Sequence, residues 1–385
     1  DIPETVAQAS GAAAYAAETI AAARGTLARR KQYPAELPVE GEEPRIGVFV
    51  CHCGINIAGV VDVPEVAQYA SRLPHVVVAD HNLYTCSQDT QEKMKKLIEE
   101  HRLNRVIVAS CSPRTHEPLF QETIREAGLN KYLFEMANIR DQCSWVHMKD
   151  KELATQKAKE LIRGAVANAA LIRPLQELPR PVNQKGLVIG GGLSGMTAAL
   201  RLANQGFEVT LIEKEETLGG NLRRVRTTLQ GHDVGAYLKD LEASVRNHPL
   251  IHVFTGAEVV SFSGYKGNFT TEFMIAPGIT TRRIEHGIAI VATGGQEMKP
   301  KEYHYGEDSR IMTQLELEEK MADRPEEIAR AKQIVMIQCV GSREPDHPSC
   351  SRICCQEAVK NALQIKKINP SARVIVLYRD LRTYG

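Results

Sequence analysis

The sequence lacks several features that would each point to a function class. It has no apolar run approaching the length of a membrane span. Its formal net charge is +1, with 48 Lys and Arg against 47 Asp and Glu. A chain so balanced has no charge excess to offer nucleic acid or an anionic membrane. The N-terminal stretch has no apolar block with a cleavage site, so it does not read as a secretory signal. No serine–histidine–acid arrangement can be read, and no ferredoxin-type C-x2-C-x2-C-x3-C run occurs. Nine cysteines are present, clustered beside expected strand ends rather than spaced as a disulfide framework. That usage implies metal or redox chemistry in a reducing, cytoplasmic compartment.

The chain is organised around residues 333–363, QIVMIQCVGSREPDHPSCSRICCQEAVKNAL. Ile334, Val335, Met336 and Ile337 form an apolar run, β-branched at three of four positions, and predict a buried strand. Ala358, Val359, Ala362, Leu363 and Ile365 predict a helix, and Val374–Tyr378 a second strand. That is the start of a βαβ unit, where a dinucleotide-binding fold places a glycine-rich turn. Here the turn carries Cys339, Cys350, Cys354 and Cys355 in the spacing C-x10-C-x3-C-C. A cubane iron–sulfur cluster needs four thiolates, and this turn supplies four. Adjacent Cys354 and Cys355 cannot both point one way on a regular helix, but a loop entering a helix start can turn both inward. A zinc site, a redox disulfide and unrelated buried thiols are the alternatives. Zinc sites usually use separated cysteine pairs, which a vicinal pair does not match.

The fold class expected is α/β. A helix is predicted to about Ala28, with Pro3 and Glu4 as start signals. Residues 29–44 read as a proline-rich linker, and 45–150 as a small α/β domain with a mainly parallel sheet. Its strands are expected at Ile46–Val50, Val76–Ala79, Val106–Ala109 and Tyr132–Glu135. Its helices are expected at Val63–Ser71, Gln88–His101 and Glu117–Ala127. Cys51, Cys53, Cys86 and Cys111 follow strand ends, where α/β sheets bind ligands, and are candidates for a second cluster. Free thiols in a docking domain are the other reading; Cys143 comes later. Residues 151–184 hold a helix, with Leu153, Ala158, Leu161, Ile162 and Val166 on its apolar face, and a proline-rich boundary. His52 reads as solvent-facing, His116 and Glu117 as parts of a polar loop, and Glu316–Lys320 as an ordinary charged helix face.

Residues 185–300 read as a dinucleotide-binding domain, and 301–385 as the start of a second Rossmann unit. A short strand runs into Gly190-x-Gly192-x-x-Gly195 and then a helix. The next strand, Val209–Ile212, ends in Glu213 and Lys214, at the spacing of a ribose ligand. Gly190 permits the tight turn, Gly192 lets backbone N–H groups approach a pyrophosphate, and Gly195 allows close helix–strand packing. Gly219-Gly220-Asn221 resembles the flavin-contacting loop of two-dinucleotide-domain flavoproteins. AIVATG at 289–294, with Thr293 and Gly294, resembles their strand near FAD. Together they favour FAD. Ile251–Phe262 and Phe269–Ile275 are expected to form an antiparallel ribbon, from which Val259 would touch adenine by analogy. The second Rossmann unit lacks GxGxxG, so NAD(P)H is not expected there.

With these pieces in hand, the chain resembles the A-subunit family of heterodisulfide reductase from about Arg45 onward. The shared motifs are VFVCHCG, ASCSPRTHE, VIGGGLSGMTAAL, LGGNLR, ATGG and CVGSR with the four-cysteine run. The resemblance implies an FAD-bearing electron-transfer subunit with a thioredoxin-reductase-like core, electron-bifurcating in several members. It implies Cys339, Cys350, Cys354 and Cys355 as [4Fe-4S] ligands, with Lys360, one turn beyond Cys355, approaching the flavin N5. A solvated helix lysine is the plain alternative for Lys360. The implied partners are other subunits of the complex, ferredoxin or a hydrogenase or dehydrogenase donor subunit, and a second copy in a homodimer. DIPETVAQASGAAA resembles the last helix of the same flavoprotein fold, which suggests tandem copies or spliced stretches, with Ile2–Glu4 near FAD if copies exchange that helix. The sequence is therefore expected to be part of a longer polypeptide. A thioredoxin-reductase-like disulfide enzyme using Cys354 and Cys355, or a non-catalytic assembly protein, are the competing readings.

Overall fold

The computed structural model describes residues 2–29, 31–276 and 280–383. Two compact units divide the chain: Ala28–Pro179, and Asp1–Leu27 together with Arg180–Gly385. Helix α1 (Ile2–Thr19) therefore belongs with the later segment.

The Ala28–Pro179 unit is α/β, with β1 (Ile46–Cys51), α2 (Val63–Ala70), β2 (Val76–Asn82) and α3 (Gln88–Glu100), then β3 (Arg105–Ser110), α4 (Pro113–Glu126), β4 (Phe134–Asn138) and α5 (Lys151–Ala169). All pairings are parallel, in the order β2-β1-β3-β4. Every residue of β1 and β3 is buried, because helices cover both faces. Helices α2 and α5 close one side around Ile46, Val48, Ala158 and Ile162. Helices α3 and α4 close the other around Phe49, Met94, Val108 and Phe120. Asp62 and Asp150 cap α2 and α5, accepting from the backbone N–H of Glu65 and Leu153. The connections leave β1 in opposite directions, so the crevice of the sheet opens between the carboxyl ends of β1 and β3.

The apolar face expected for the fifth helix is partly corrected. Leu153 is half exposed, while Ala154, Ala165 and Ala169 are buried with Ala158 and Ile162. The small residues let the helix lie close to the sheet, and Leu153 falls outside that arc.

Cys143 is fully buried and donates to the Ala154 carbonyl at 3.1 Å. Burial pushes its thiol up from 9.0 to about 11. The unfolded thiol ionises near its ordinary value, whereas the folded one keeps its proton longer. This contribution to stability is full below about pH 9 and lost as pH rises through about 11. The stability gap between wild type and Cys143→Ala should therefore narrow by about 2–3 kcal/mol across that window, read by urea unfolding.

The other unit begins its main sheet with β5 (Gly186–Ile189), α6 (Leu193–Asn204), β6 (Val209–Ile212), α7 (Val234–Asn247) and β7 (Ile251–Phe254). An antiparallel ribbon of β8 (Ala257–Tyr265), β9 (Asn268–Ile275) and β10 (Thr280–His286) follows, and β11 (Ile288–Val291) returns to the sheet. The main sheet is parallel, ordered β11-β5-β6-β7. The single strand expected over Ile251–Phe262 is corrected: it is two strands in different sheets. The break falls at Gly256, whose φ of 58° turns the chain out of the sheet into the ribbon. The ribbon also has a third strand, β10, beyond the two expected.

Helices α8 (Gln314–Asp323) and α9 (Pro325–Ala329) precede β12 (Gln333–Ile337), α10 (Cys354–Ile368) and β13 (Arg373–Leu377). Strands β12 and β13 pair in parallel, as the βαβ reading requires. Among the described residues, no helix is long and apolar enough to cross a membrane. Helix α1 buries no residue. Its C-terminal end is held by Glu18, which takes Arg201 at 2.5 Å and Asn204 at 2.6 Å on α6, while Arg201 lies 3.6 Å over Tyr15.

Candidate functional site

Three glycine-bearing segments meet at the carboxyl end of β5. Gly190 has φ of 108°, and a Cβ there would lie 2.3 Å from the Ala292 carbonyl oxygen. A Cβ on Gly195 would lie 1.8 Å from the Gly190 carbonyl oxygen. The turn is thus closed on both sides by backbone, and only glycine fits. A Cβ on Gly192, which caps α6, would meet nothing within 4 Å, so this position is open to a ligand's approach. Gly219 donates to the Gly191 carbonyl at 2.8 Å, and Asn221 donates to the Gly295 carbonyl at 3.0 Å. Gly220 stands beside Gly192, and Gly294 has φ of 68° next to Thr293. The structure therefore brings together Gly190, Gly192, Gly195, Gly220, Asn221, Thr293 and Gly294 from separate stretches.

Glu213 ends β6 buried, and its carboxylate accepts from the backbone N–H of Gly191 at 2.6 Å and of Glu215 at 2.9 Å. It braces the glycine turn from below. Lys214 points outward, 3.7 Å from Glu215. Val259 is half-buried against the core of Leu187, Ile212, Ala257 and Phe273, at the base of the ribbon.

The four-cysteine loop leaves β12. Helix α10 starts at Cys354, so Cys354 and Cys355 occupy its first turn. Cys339 has φ of 63°, and Arg343 and Arg352 also lie in the left-handed region, which costs a side-chain-bearing residue about 1–2 kcal/mol. Such strain is a common feature of ligand clamps. Arg343 donates to Cys339 Sγ at 4.0 Å, Ser351 to Cys354 Sγ at 3.4 Å, and the Arg352 N–H to Cys350 Sγ at 3.4 Å. Burial pushes the Cys355 thiol up, the backbone N–H of Arg382 opposes it, and neighbouring Cys354 and Cys339 add to the rise. None of the four is in a disulfide, and Cys339, Cys354 and Cys355 lie close enough to influence one another. Among the described residues, no three His, Cys, Asp or Glu groups close on a common centre. The donor set itself fits an iron–sulfur group: four thiols, with N–H and O–H donors already aimed at their sulfurs.

Lys360 is not a solvated helix lysine. It is 6% exposed, bonded at 2.6 Å to Glu318 of α8 and at 3.0 Å to Glu357. The buried stripe of α10 is Cys355, Ala358, Asn361 and Ile365, while the expected Leu363 is half exposed. Glu318 overturns the reading of Glu316–Lys320 as a plain charged face, being only 3% exposed. Its other oxygen accepts from the backbone N–H of Arg226 at 2.7 Å and Thr227 at 3.1 Å, just beyond the Gly219–Asn221 turn. Burial alone would raise Glu318, but Glu357, Lys360 and those two N–H groups outweigh it and hold it below the usual carboxylate range. Burial and then Glu318 push Glu357 up, while Lys360 opposes the rise. Glu318→Ala would leave the ammonium with Glu357 alone and the Arg226 and Thr227 N–H groups without their acceptor, and should cost about 1–3 kcal/mol in urea unfolding. The double variant Glu318→Gln, Lys360→Met should recover most of that loss. The Gln338 amide, beside Cys339, is buried without a hydrogen-bond partner among the described residues.

In the Ala28–Pro179 unit, Cys51, Cys53, Cys86 and Cys111 lie at or beyond the carboxyl ends of β1, β2 and β3 and influence one another, though here too no three close on a common centre among the described residues. Cys53 has φ of 47° and receives Arg140 at 3.8 Å. Cys51 accepts from the Thr85 N–H at 3.4 Å. Burial pushes Cys86 up, and Cys51, Cys111 and Cys53 add to it. Burial also raises Cys111, against the Ser110 hydroxyl and Arg140. His52 is half-buried rather than solvent-facing, 3.0 Å from His81.

A parallel sheet with a glycine cradle and an acid at the end of its second strand defines a dinucleotide-binding Rossmann-like protein. Residues 188–243 match the family model for an NAD(P)-binding Rossmann-like domain. The chain is 39% identical to the second iron-sulfur A-subunit of CoB--CoM heterodisulfide reductase from Methanopyrus kandleri, over 89% of this chain and 66% of that protein. It is 51% identical to a protein of Archaeoglobus profundus described as like the heterodisulfide reductase A-subunit, over 59% of this chain and 33% of that one. It belongs to the A-subunit family of heterodisulfide reductase, whose members are parts of an oxidoreductase. The chain spans 66% of the length of the Methanopyrus relative, and the aligned stretch there is 433 residues, longer than the whole chain of 385. That relative therefore carries sequence within the matched span that this chain lacks. L-proline dehydrogenase from P. horikoshii aligns at a TM-score of 0.33 and 17% identity over 55% of this chain and 38% of that one, too loosely to carry an argument.

Proposed function

We propose that this chain is an FAD- and iron–sulfur-bearing electron-transfer subunit of a heterodisulfide-reductase-like complex. The observation that carries this reading lies within one unit. A closed glycine cradle stands in the first Rossmann half, and a loop of four free cysteines stands where the second half would hold its pyrophosphate turn. FAD would supply the exchange between paired and single electrons, and an iron–sulfur cluster would accept or deliver the single ones.

The chain's own residues do the positioning. Gly190, Gly192 and Gly195 admit the pyrophosphate to the start of α6, whose dipole favours its charge. Glu213 keeps the turn in place and would meet the ribose, beside Lys214. Gly220, Asn221, Thr293 and Gly294 line the far end, towards the flavin ring, and Val259 contributes near adenine. Cys339, Cys350, Cys354 and Cys355 would hold one [4Fe-4S] cluster. Cys51, Cys53, Cys86 and Cys111 would hold a second at the switch point of the other sheet. Lys360 would bring a positive charge towards the flavin N5 by leaving Glu318.

The partners proposed are the other subunits of such a complex, with ferredoxin or a hydrogenase or dehydrogenase subunit exchanging electrons, and a second copy of this chain. Bifurcation at the flavin and a cytoplasmic setting belong to the same proposal. Flavin and iron are to be quantified on anaerobically purified protein. About one FAD and roughly eight iron per chain are expected, four for each cluster. Flavin without iron, together with an oxidisable Cys354–Cys355 pair, would favour a disulfide reductase instead.

A further inference from the structure

The thiol site of the Ala28–Pro179 unit contains a fixed positive charge. Arg140 opens the five-residue π-helix Arg140–Ser144, a rare conformation that is frequent at functional sites. Its guanidinium lies 4.8 Å over the Trp145 ring and donates to Cys53 Sγ at 3.8 Å. Cys111 also feels its charge. The nearest carboxylate is Asp141 at 3.4 Å from Nε, and Nε is buried without a hydrogen-bond partner among the described residues. The turn is locked in place by Ser144, which donates to the Asn56 carbonyl at 2.6 Å, one turn beyond Cys53.

The other four-cysteine loop repeats this arrangement. There too the cysteine two residues beyond a strand end is left-handed, and a guanidinium, Arg343, donates to its sulfur. The two loops share no sequence beyond the cysteines, so the pairing follows from the chemistry of the site. Four thiolates on a cubane leave a net negative group, and a partly buried positive charge beside it stabilises the state with one more electron.

We propose that Arg140 is a positioning and potential-setting residue for an iron–sulfur group held by Cys51, Cys53, Cys86 and Cys111, an inference that rests on the reading of that site as a cluster. Arginine suits the task because it keeps its charge at every accessible pH and its planar fork stacks on Trp145.

The test uses the full chain carrying Cys354→Ser, so that only this site gives a low-temperature EPR signal. Potentiometric titration compares Arg140, Arg140→Met and Arg140→Lys in that background. Arg140→Met should shift the equilibrium towards the oxidised form by about tenfold, a fall of about 59 mV for one electron. Arg140→Lys should restore most of the shift, which a purely structural role would not do. Loss of iron in Arg140→Met but not in Arg140→Lys supports the same conclusion. An unchanged midpoint at full iron content overturns it, as does equal iron loss in both variants. Failure of the underlying cluster reading shows separately: adding Cys53→Ser would then leave iron and signal as they were.

Discussion

Gly195→Ala should yield a protein that purifies without flavin. The added Cβ would stand 1.8 Å from the Gly190 carbonyl oxygen, well inside any tolerated contact. Relief requires α6 to move off the turn that its own N-terminus must share with the pyrophosphate. The neighbouring turn cannot give way, because Gly190 is itself wedged against Ala292. Overpacking of this kind costs about 1–3 kcal/mol and displaces backbone. FAD content, read from absorbance after release, should fall at least about tenfold, since a displacement near 1 Å is enough to lose oriented binding. Gly164→Ala on α5, where an added Cβ meets nothing within 4 Å, is the control. It should gain about 0.5–1 kcal/mol and leave FAD unchanged.

Cys354→Ser should remove roughly four iron per chain, with the broad absorbance near 400 nm that accompanies them, while FAD stays. Serine keeps the size of the side chain but not the soft ligand that iron–sulfur groups select. The glycine cradle stands on β5 and α6 and Cys354 opens α10, so the substitution leaves every residue of the cradle in place. Unchanged iron would sink the ligand assignment for that loop.

The strands and helices around both sites were legible as elements, but the buried strand expected at Ile334–Ile337 is corrected: only Met336 is buried there, because β12 pairs with β13 alone and Val335 and Ile337 are left exposed. In β1 and β3 every residue but Arg105 is apolar or small enough to be covered on both faces. The glycine turn was legible because each glycine has its own steric reason. What could not be read was burial of charge. Glu318 and Lys360 lie in stretches whose composition matches a solvated helix, and only the meeting of α8 with α10 buries them. The one local signal was Glu357, one turn before Lys360 on the same face. The split of residues 251–262 between two sheets was equally hidden, because both halves have strand character and the switch depends on the φ of a single glycine. Arg140 gave no sign of itself because its role depends on a π-helix, a rarity that no residue pattern announces.

The docking of α1 on α6 has a consequence for synthesis. One unit is interrupted in sequence by the other, and Glu18 reaches its partners Arg201 and Asn204 across more than 180 residues. Arg201 and Asn204 follow the inserted unit in sequence, so their bonds to Glu18 can form only after that unit has been made. Until then Glu18 lacks these two partners, and the helix's alanine-rich sequence, with no buried residue, suits a segment that can tolerate solvent meanwhile.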